Sequence, residues 1–181
     1  DRNWGAGRVL KEHDARLAQA LPAPAPDTAA PMMMARLQVL PGWIDYNSHM
    51  TESRYLFAAS ETCDAFLRHI GADMAYVGTG FSYYTAETHI LHLDEAKLGD
   101  RLVGTVQVLM ADEKRIHTFI RIHKGDVVVA TVEQMMLHVD MGAGKTCPAP
   151  KSVLDRVLPI AAAHAALPRP EGAGRAVGQR K

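Results

Sequence analysis

An α+β domain is predicted, in which one long amphipathic helix covers a curved antiparallel sheet, and three observations predict it. Tyr55, Ala59, Cys63, Phe66 and Ile70 recur at helical spacing, with Leu56 and Leu67 widening the apolar stripe. Four strand-like segments follow that helix, each closed by a short turn. The order strand, helix, antiparallel meander leaves a sheet with one apolar face, and the long helix is the element available to cover it.

The elements follow in order. Ala35-Arg36-Leu37-Gln38-Val39-Leu40 alternates like a half-buried strand and Pro41-Gly42 ends it. The helix is expected from about Thr51 to a stop at Gly71. Phe81 to Ile90, rich in aromatic and β-branched residues, follows Gly78-Thr79-Gly80 as the second strand. Gly99-Asp100 turns the chain into Leu102–Met110, and Asp112-Glu113 turns it again. In the next strand Ile116, Thr118, Ile120 and Ile122 alternate with His117, Phe119, Arg121 and His123, so one face is buried. Lys124-Gly125-Asp126 is a hairpin turn into Val127–Val139. Val153, Leu154, Val157 and Leu158 predict a short last helix that Pro159 should break or bend.

At 181 residues the chain holds one domain with tails. Residues 1–33 read as a linker carrying an upstream remnant, with Pro22-Ala23-Pro24-Ala25-Pro26 as a stiff spacer, in a chain that opens at Asp1. Residues 34–167 form the globular part, and the Gly-, Arg- and Pro-rich 168–181 is expected to be a disordered tail. A formal charge of zero gives no reason to expect nucleic acid, and no run is long enough to span a membrane. Cys63 and Cys147 lack metal or redox spacing, so the default is a reducing cytoplasm with no metal. Gly142-Ala143-Gly144-Lys145-Thr146 resembles a phosphate loop only in its ending, since Cys147-Pro148 prevents the required helix.

Chemistry concentrates in Trp43-Ile44-Asp45-Tyr46-Asn47-Ser48-His49-Met50. Asp45 stands just ahead of a helix N-terminus, where unpaired N–H groups and the positive dipole end can polarise a carbonyl beside a carboxylate. The plainer reading is that Asp45, Asn47 or Ser48 caps the helix. His49 can orient Asp45 or a substrate, or tie to backbone. Glu87 is a second carboxylate candidate because a charge in mid-strand needs a purpose or a partner.

This loop and element order resemble the hot-dog fold of the 4-hydroxybenzoyl-CoA thioesterase-like family. Asp45, Asn47, His49, Met50 and Tyr55 match its signature, as do Leu98-Gly99-Asp100, Ala130-Thr131-Val132-Glu133 and His138-Val139-Asp140. Ser48 departs from it, standing where the family usually has Gly, and so does Thr51-Glu52, where the helix usually begins with Asn. Gly42 to Met50, Glu87-Thr88-His89-Ile90 and Asp112 to His117 are further similar to the thioesterase half of carnitine dehydrogenase fusions, and Asn3-Trp4-Gly5-Ala6-Gly7 is similar to the end of their dehydrogenase half. The resemblance implies hydrolysis of an acyl-CoA thioester, betainyl-CoA by preference, with no cofactor beyond the CoA of the substrate. It implies Asp45 as nucleophile or base, helped by Asn47 and His49, in a homodimer joined edge to edge with an upstream carnitine dehydrogenase as partner.

Of eleven aromatic residues, nine lie between Trp43 and Tyr84. Phe57, Phe66 and Tyr76 are expected in the core, while Trp43, Tyr46, Tyr55, Tyr83 and Tyr84 are the pocket candidates. Such rings attract quaternary ammonium groups, and Glu87 would add Coulomb attraction. Packing the core or gripping a neutral acyl chain is the competing role. Lys114 and Arg115 are the candidates for CoA phosphates. Two rivals stay open: another acyl-CoA thioesterase or a dehydratase on the same fold, and a non-catalytic acyl-CoA-binding or dimerisation domain.

Overall fold

A computed structural model describes residues 27–178, so the charged opening and its Pro-Ala spacer, along with the last three residues, lie outside the described residues. The strands are β1 (Met32–Gln38), β2 (Phe81–His92), β3 (Arg101–Ala111), β4 (Arg115–Lys124), β5 (Val127–Asp140) and the short β6 (Lys145–Thr146). They form an antiparallel sheet in the order β1-β3-β4-β5-β2, with β6 paired to β5. The long helix α1 (Glu52–His69) lies on the inner face of that sheet, as the single apolar stripe requires. A one-turn helix α2 (Met74–Val77) precedes β2, and α3 (Lys151–His164) follows β6. The layout is therefore α+β, with a helix held in an antiparallel sheet.

Small residues let α1 approach closely. Ala58, Ala59 and Thr62 are fully buried beneath it, and a β-carbon added at Gly104 of β3 would stand 1.9 Å from the Thr62 hydroxyl oxygen. Glycine inside a strand here marks a contact of helix against backbone. On the β5 side, the Cys63 Sγ lies 3.4 Å from Met136 Sδ, within the same core as Ile116, Ile120, Ile122 and Val132.

Four local readings are corrected. β1 starts at Met32, whose side chain is in the core, and ends at Gln38, so the folded unit reaches into the stretch read as linker. Neither Asp45, Asn47 nor Ser48 caps α1: the cap position is Thr51, whose side chain makes no capping bond. Pro159 lies inside α3 without ending it. It faces solvent, so the carbonyl its missing N–H leaves free can be hydrated, while Val153, Val157, Ile160 and His164 hold the helix from the buried side. Residues 168–178, expected to lack structure, lie against the outer face of the sheet. There Gln107 Nε2 donates to the Pro168 carbonyl at 3.1 Å and the Gly174 N–H to Glu133 Oε2 at 2.7 Å.

His164 pins α3 to β3. The Val108 N–H donates to its Nδ1 at 2.8 Å, beside the β-bulge after Val108, and its Nε2 lies 3.2 Å from the Ala30 carbonyl, which fixes a neutral ring with the proton on Nε2. Burial lowers its pKa from the ordinary 6.5, and burial lowers those of His69 and His123 as well. The unfolded chain then binds more protons than the folded one at mildly acid pH, so stability is complete above 6.5 and falls as pH drops below it. Urea midpoints measured from pH 8 to pH 5 should decline on the acid side, and His164→Asn, which keeps an acceptor but cannot charge, should flatten that decline.

Candidate active site

The segment from Trp43 to Thr51 is a closed excursion at the mouth of α1. Its base is sealed by the Thr51 N–H on the Trp43 carbonyl at 2.8 Å and by the Ile44–Met50 bridge. Within it the Asp45 N–H donates to the His49 carbonyl (2.9 Å) and the Ser48 N–H to the Asp45 carbonyl (3.1 Å). Asp45 Oδ1 accepts from the N–H of Asn47 at 2.8 Å and, more weakly, from that of His49 at 3.4 Å. One carboxylate oxygen therefore orders the loop in an Asx turn and the other is left for chemistry. Asn47 is exposed and contributes its backbone.

Ser48 adopts φ 65°, the left-handed region, which explains why glycine suits this position. A side chain there costs roughly 1 kcal/mol. Ser48→Gly should therefore raise the thermal midpoint by an amount worth up to about 1 kcal/mol, less what glycine loses in the unfolded chain.

Because the Thr51 side chain caps nothing, the first N–H groups of α1, at Glu52 and Ser53, have no side-chain acceptor and no turn above them to bond. They sit at the positive end of an 18-residue helix. A carboxylate and open amide donors thus occur together on one rigid platform, an arrangement able to bind a developing oxyanion beside a base or nucleophile.

The connection from β2 to β3 braces this platform. The Met50 N–H donates to the Ala96 carbonyl at 2.7 Å, and His49 Nε2 pairs with Glu95 Oε2 at 2.9 Å. The His49 ring is thus oriented by Glu95; its backbone alone, through both N–H and carbonyl, addresses Asp45. Sequence reasoning missed Glu95, because nothing local to Asp94-Glu95 ties it to His49 or Tyr55, both far away in the chain.

The pocket aromatics separate. Tyr55 is buried, its hydroxyl donating to the Asp94 carbonyl (3.3 Å) and accepting from the Ala96 N–H (2.9 Å), with His92 edge-on to its ring. That hydroxyl is committed to backbone, and burial, with Glu95, Asp94 and Asp100 nearby, raises its pKa. Trp43 is also buried, edge-on to Phe57, with the Arg54 guanidinium 5.9 Å from its ring centre. Tyr46, 94% exposed, stands at the tip of the loop.

Tyr83, Tyr84 and Glu87 do not form one wall. Tyr83 pairs with His138 on the inner face, where it meets that ring edge-on at 5.1 Å. Its hydroxyl is buried without a hydrogen bond, and burial raises its pKa. His138 accepts from the Tyr76 hydroxyl at Nε2 (2.6 Å) and faces the Cys147 carbonyl with Nδ1 (2.9 Å). Tyr84, 53% exposed, pairs with Leu137, and Glu87 with Met135, both on the outer face. The bulge at Ala86 shifts the alternation, so two residues three apart share a side. Glu87 lines an outer cavity of about 300 Å³ with His89, His117 and Glu133; there His117 Nε2 pairs with Glu133 Oε1 at 2.7 Å.

The Tyr83 end of β2 is also remote from Asp45 in one protomer, since Tyr83 to His92 spans about 30 Å of extended strand. Lys114 and Arg115 lie at that same far end, in the β3–β4 turn. Arg115 is clamped by Asp112, Nε at 2.8 Å and Nη2 at 2.6 Å, which holds the Asp112 carboxyl below its usual range; Lys114 is half-buried and 3.9 Å from Glu113. Among the described residues, no helix is long and apolar enough to cross a membrane.

The sequence model of the Thioesterase-like superfamily matches residues 39–157. Over 99% of its length the chain is 52% identical to an L-carnitine dehydrogenase/betainyl-CoA thioesterase of Rhizobium meliloti, and spans 37% of that relative. It is 40% identical over 143 residues to a betainyl-CoA thioesterase of Pseudomonas aeruginosa, covering 77% of this chain and 90% of that one. A Staphylococcus aureus protein solved in complex with CoA superposes with a TM-score of 0.76 at 23% identity, over 83% of this chain and 97% of that one. The hot-dog architecture implied by the loop motif is thereby found.

Proposed function

From the premise that the chain belongs to the thioesterase-like superfamily, we propose that it hydrolyses an acyl-CoA thioester to free acid and CoA, with betainyl-CoA as preferred substrate. The observation that carries this reading is the ordered Asp45 carboxylate beside the uncapped start of α1. In one route Asp45 takes a proton from water as the water oxygen attacks the thioester carbonyl; in the other its own oxygen attacks and water releases the acyl group afterwards. Amide donors of Glu52 and Ser53 hold the oxyanion in both, and collapse of the tetrahedral species expels the CoA thiolate. Water is the second reactant; no metal or redox group is needed.

Charge supports the substrate. Asp45, Glu52, Asp94 and Glu95 crowd this end of the fold, which favours an acyl group carrying a quaternary ammonium over a neutral one of equal size. Free thiol released from betainyl-CoA and from butyryl-CoA tests this directly. We expect kcat/KM to favour the cation by at least about tenfold; equal rates would remove the betainyl assignment, and no release from either would remove hydrolysis.

A homodimer is part of the same reading. β2 is an edge strand whose segment from Tyr84 to Thr88 is exposed, and an unpaired edge invites a second copy. Antiparallel pairing of two β2 strands about a twofold axis exchanges their ends, so Tyr83, Lys114 and Arg115 of the partner subunit approach Asp45. A monomeric mass by light scattering counts against it. The fusion relatives of which this chain spans 37% carry two activities in their names, and we assign this chain the thioesterase, with a carnitine dehydrogenase as its fused or separate partner in the cytoplasm.

A further inference from the structure

The outer face of the sheet holds a cavity of about 470 Å³ that hydrolysis does not use, in the size range of small-ligand sites. Arg121 of β4 and Thr131 of β5 are cross-strand neighbours in its floor, and Leu91 of β2 pairs with Thr131 from the other side. Leu93 extends the apolar wall, while Glu171 and Arg175 reach it from the segment that crosses the sheet. That segment is anchored independently by Gly174 on Glu133 and Pro168 on Gln107.

Arg121 is the unexplained group. Its guanidinium stands 5.2 Å from the Phe119 ring centre, and among the described residues no carboxylate pairs with it. Arg115 shows the contrast, being clamped by Asp112. Burial lowers the pKa of Arg121, and a half-buried guanidinium without a counter-ion is a cost that an incoming anion relieves. Two arginines against one glutamate leave the lining with a surplus of one positive charge, which suits a monoanion better than a phosphate dianion.

We infer that this cavity binds a monoanionic organic acid, its charged group on Arg121 and Thr131 and its apolar body against Leu91 and Leu93. Its lining includes no residue of the Asp45 loop, and the site stands or falls without the hydrolytic reading.

The test uses the 181-residue chain and the fluorescent monoanion 8-anilinonaphthalene-1-sulfonate. One saturable site per chain is expected, weakened at least about tenfold by Arg121→Gln and about threefold by Thr131→Val, and unaltered by Arg115→Gln. Hexanoate should displace the probe, hexylamine should not, and saturating CoA should leave it bound. Wild-type binding in both Arg121→Gln and Thr131→Val overturns the site. Displacement by CoA also overturns it, by assigning the cavity to the substrate's own nucleotide.

Discussion

Asp45→Asn should lower kcat by about a hundredfold to ten-thousandfold while KM and the melting temperature stay near wild type. The substitution is unusually clean because the amide oxygen of Asn can still accept from the Asn47 N–H, which keeps the Asx turn and hence the whole excursion closed. What it removes is the negative charge and the basic or nucleophilic oxygen. Steady-state thiol release, with circular dichroism on the same samples, checks the pair of expectations. A variant that turns over normally would show that the carboxylate merely shapes the loop.

Gly104→Ala carries the largest expected effect on stability. The new methyl carbon would lie 1.9 Å from the Thr62 hydroxyl oxygen, 2.8 Å from its Cγ2 and 2.9 Å from its Cβ, so α1 must lift from β3. Thr62 cannot simply rotate away, because it is fully buried and its hydroxyl donates to the Ala58 carbonyl at 2.7 Å. Overpacking of this kind costs about 3 kcal/mol, or roughly 6–12 °C in a domain of this size. Adding Thr62→Ala to Gly104→Ala should restore part of that loss, since removing the obstructing atoms makes the two changes strongly non-additive. Calorimetry of the single and double variants gives the answer, and a Gly104→Ala protein melting with wild type would mean the helix is not seated on that strand.

Much of this was legible before any coordinates. The stripe from Tyr55 to Ile70 is buried because a 3.6-residue period admits one buried face, and β4 shows inward isoleucines because its alternation is unbroken. The Asp45 loop stood out because polar residues between a strand and an amphipathic helix must lie at the helix mouth. What stayed hidden depends on register and distance. The Ala86 bulge puts Tyr84 and Glu87 on the same side and away from Tyr83, and no composition signal marks a bulge formed by alanine. Tyr55 read as a pocket ring because its backbone partners, Asp94 and Ala96, are thirty-nine and forty-one residues away in sequence. The last segment read as disordered because its contacts, to Gln107 and Glu133, are made by backbone groups that any sequence has.

The sulfur pair under α1 gives the fold an internal clock. Cys63 is enclosed beside Met136, and burial, with Asp64 adding to it, pushes its thiol up to about 12. An alkylating reagent at neutral pH meets neither a thiolate nor a path to it, while Cys147 is only half-buried. Modification of Cys63 can proceed only through molecules in which the helix has parted from the sheet, so the slow phase of a labelling time course counts openings of the native state directly.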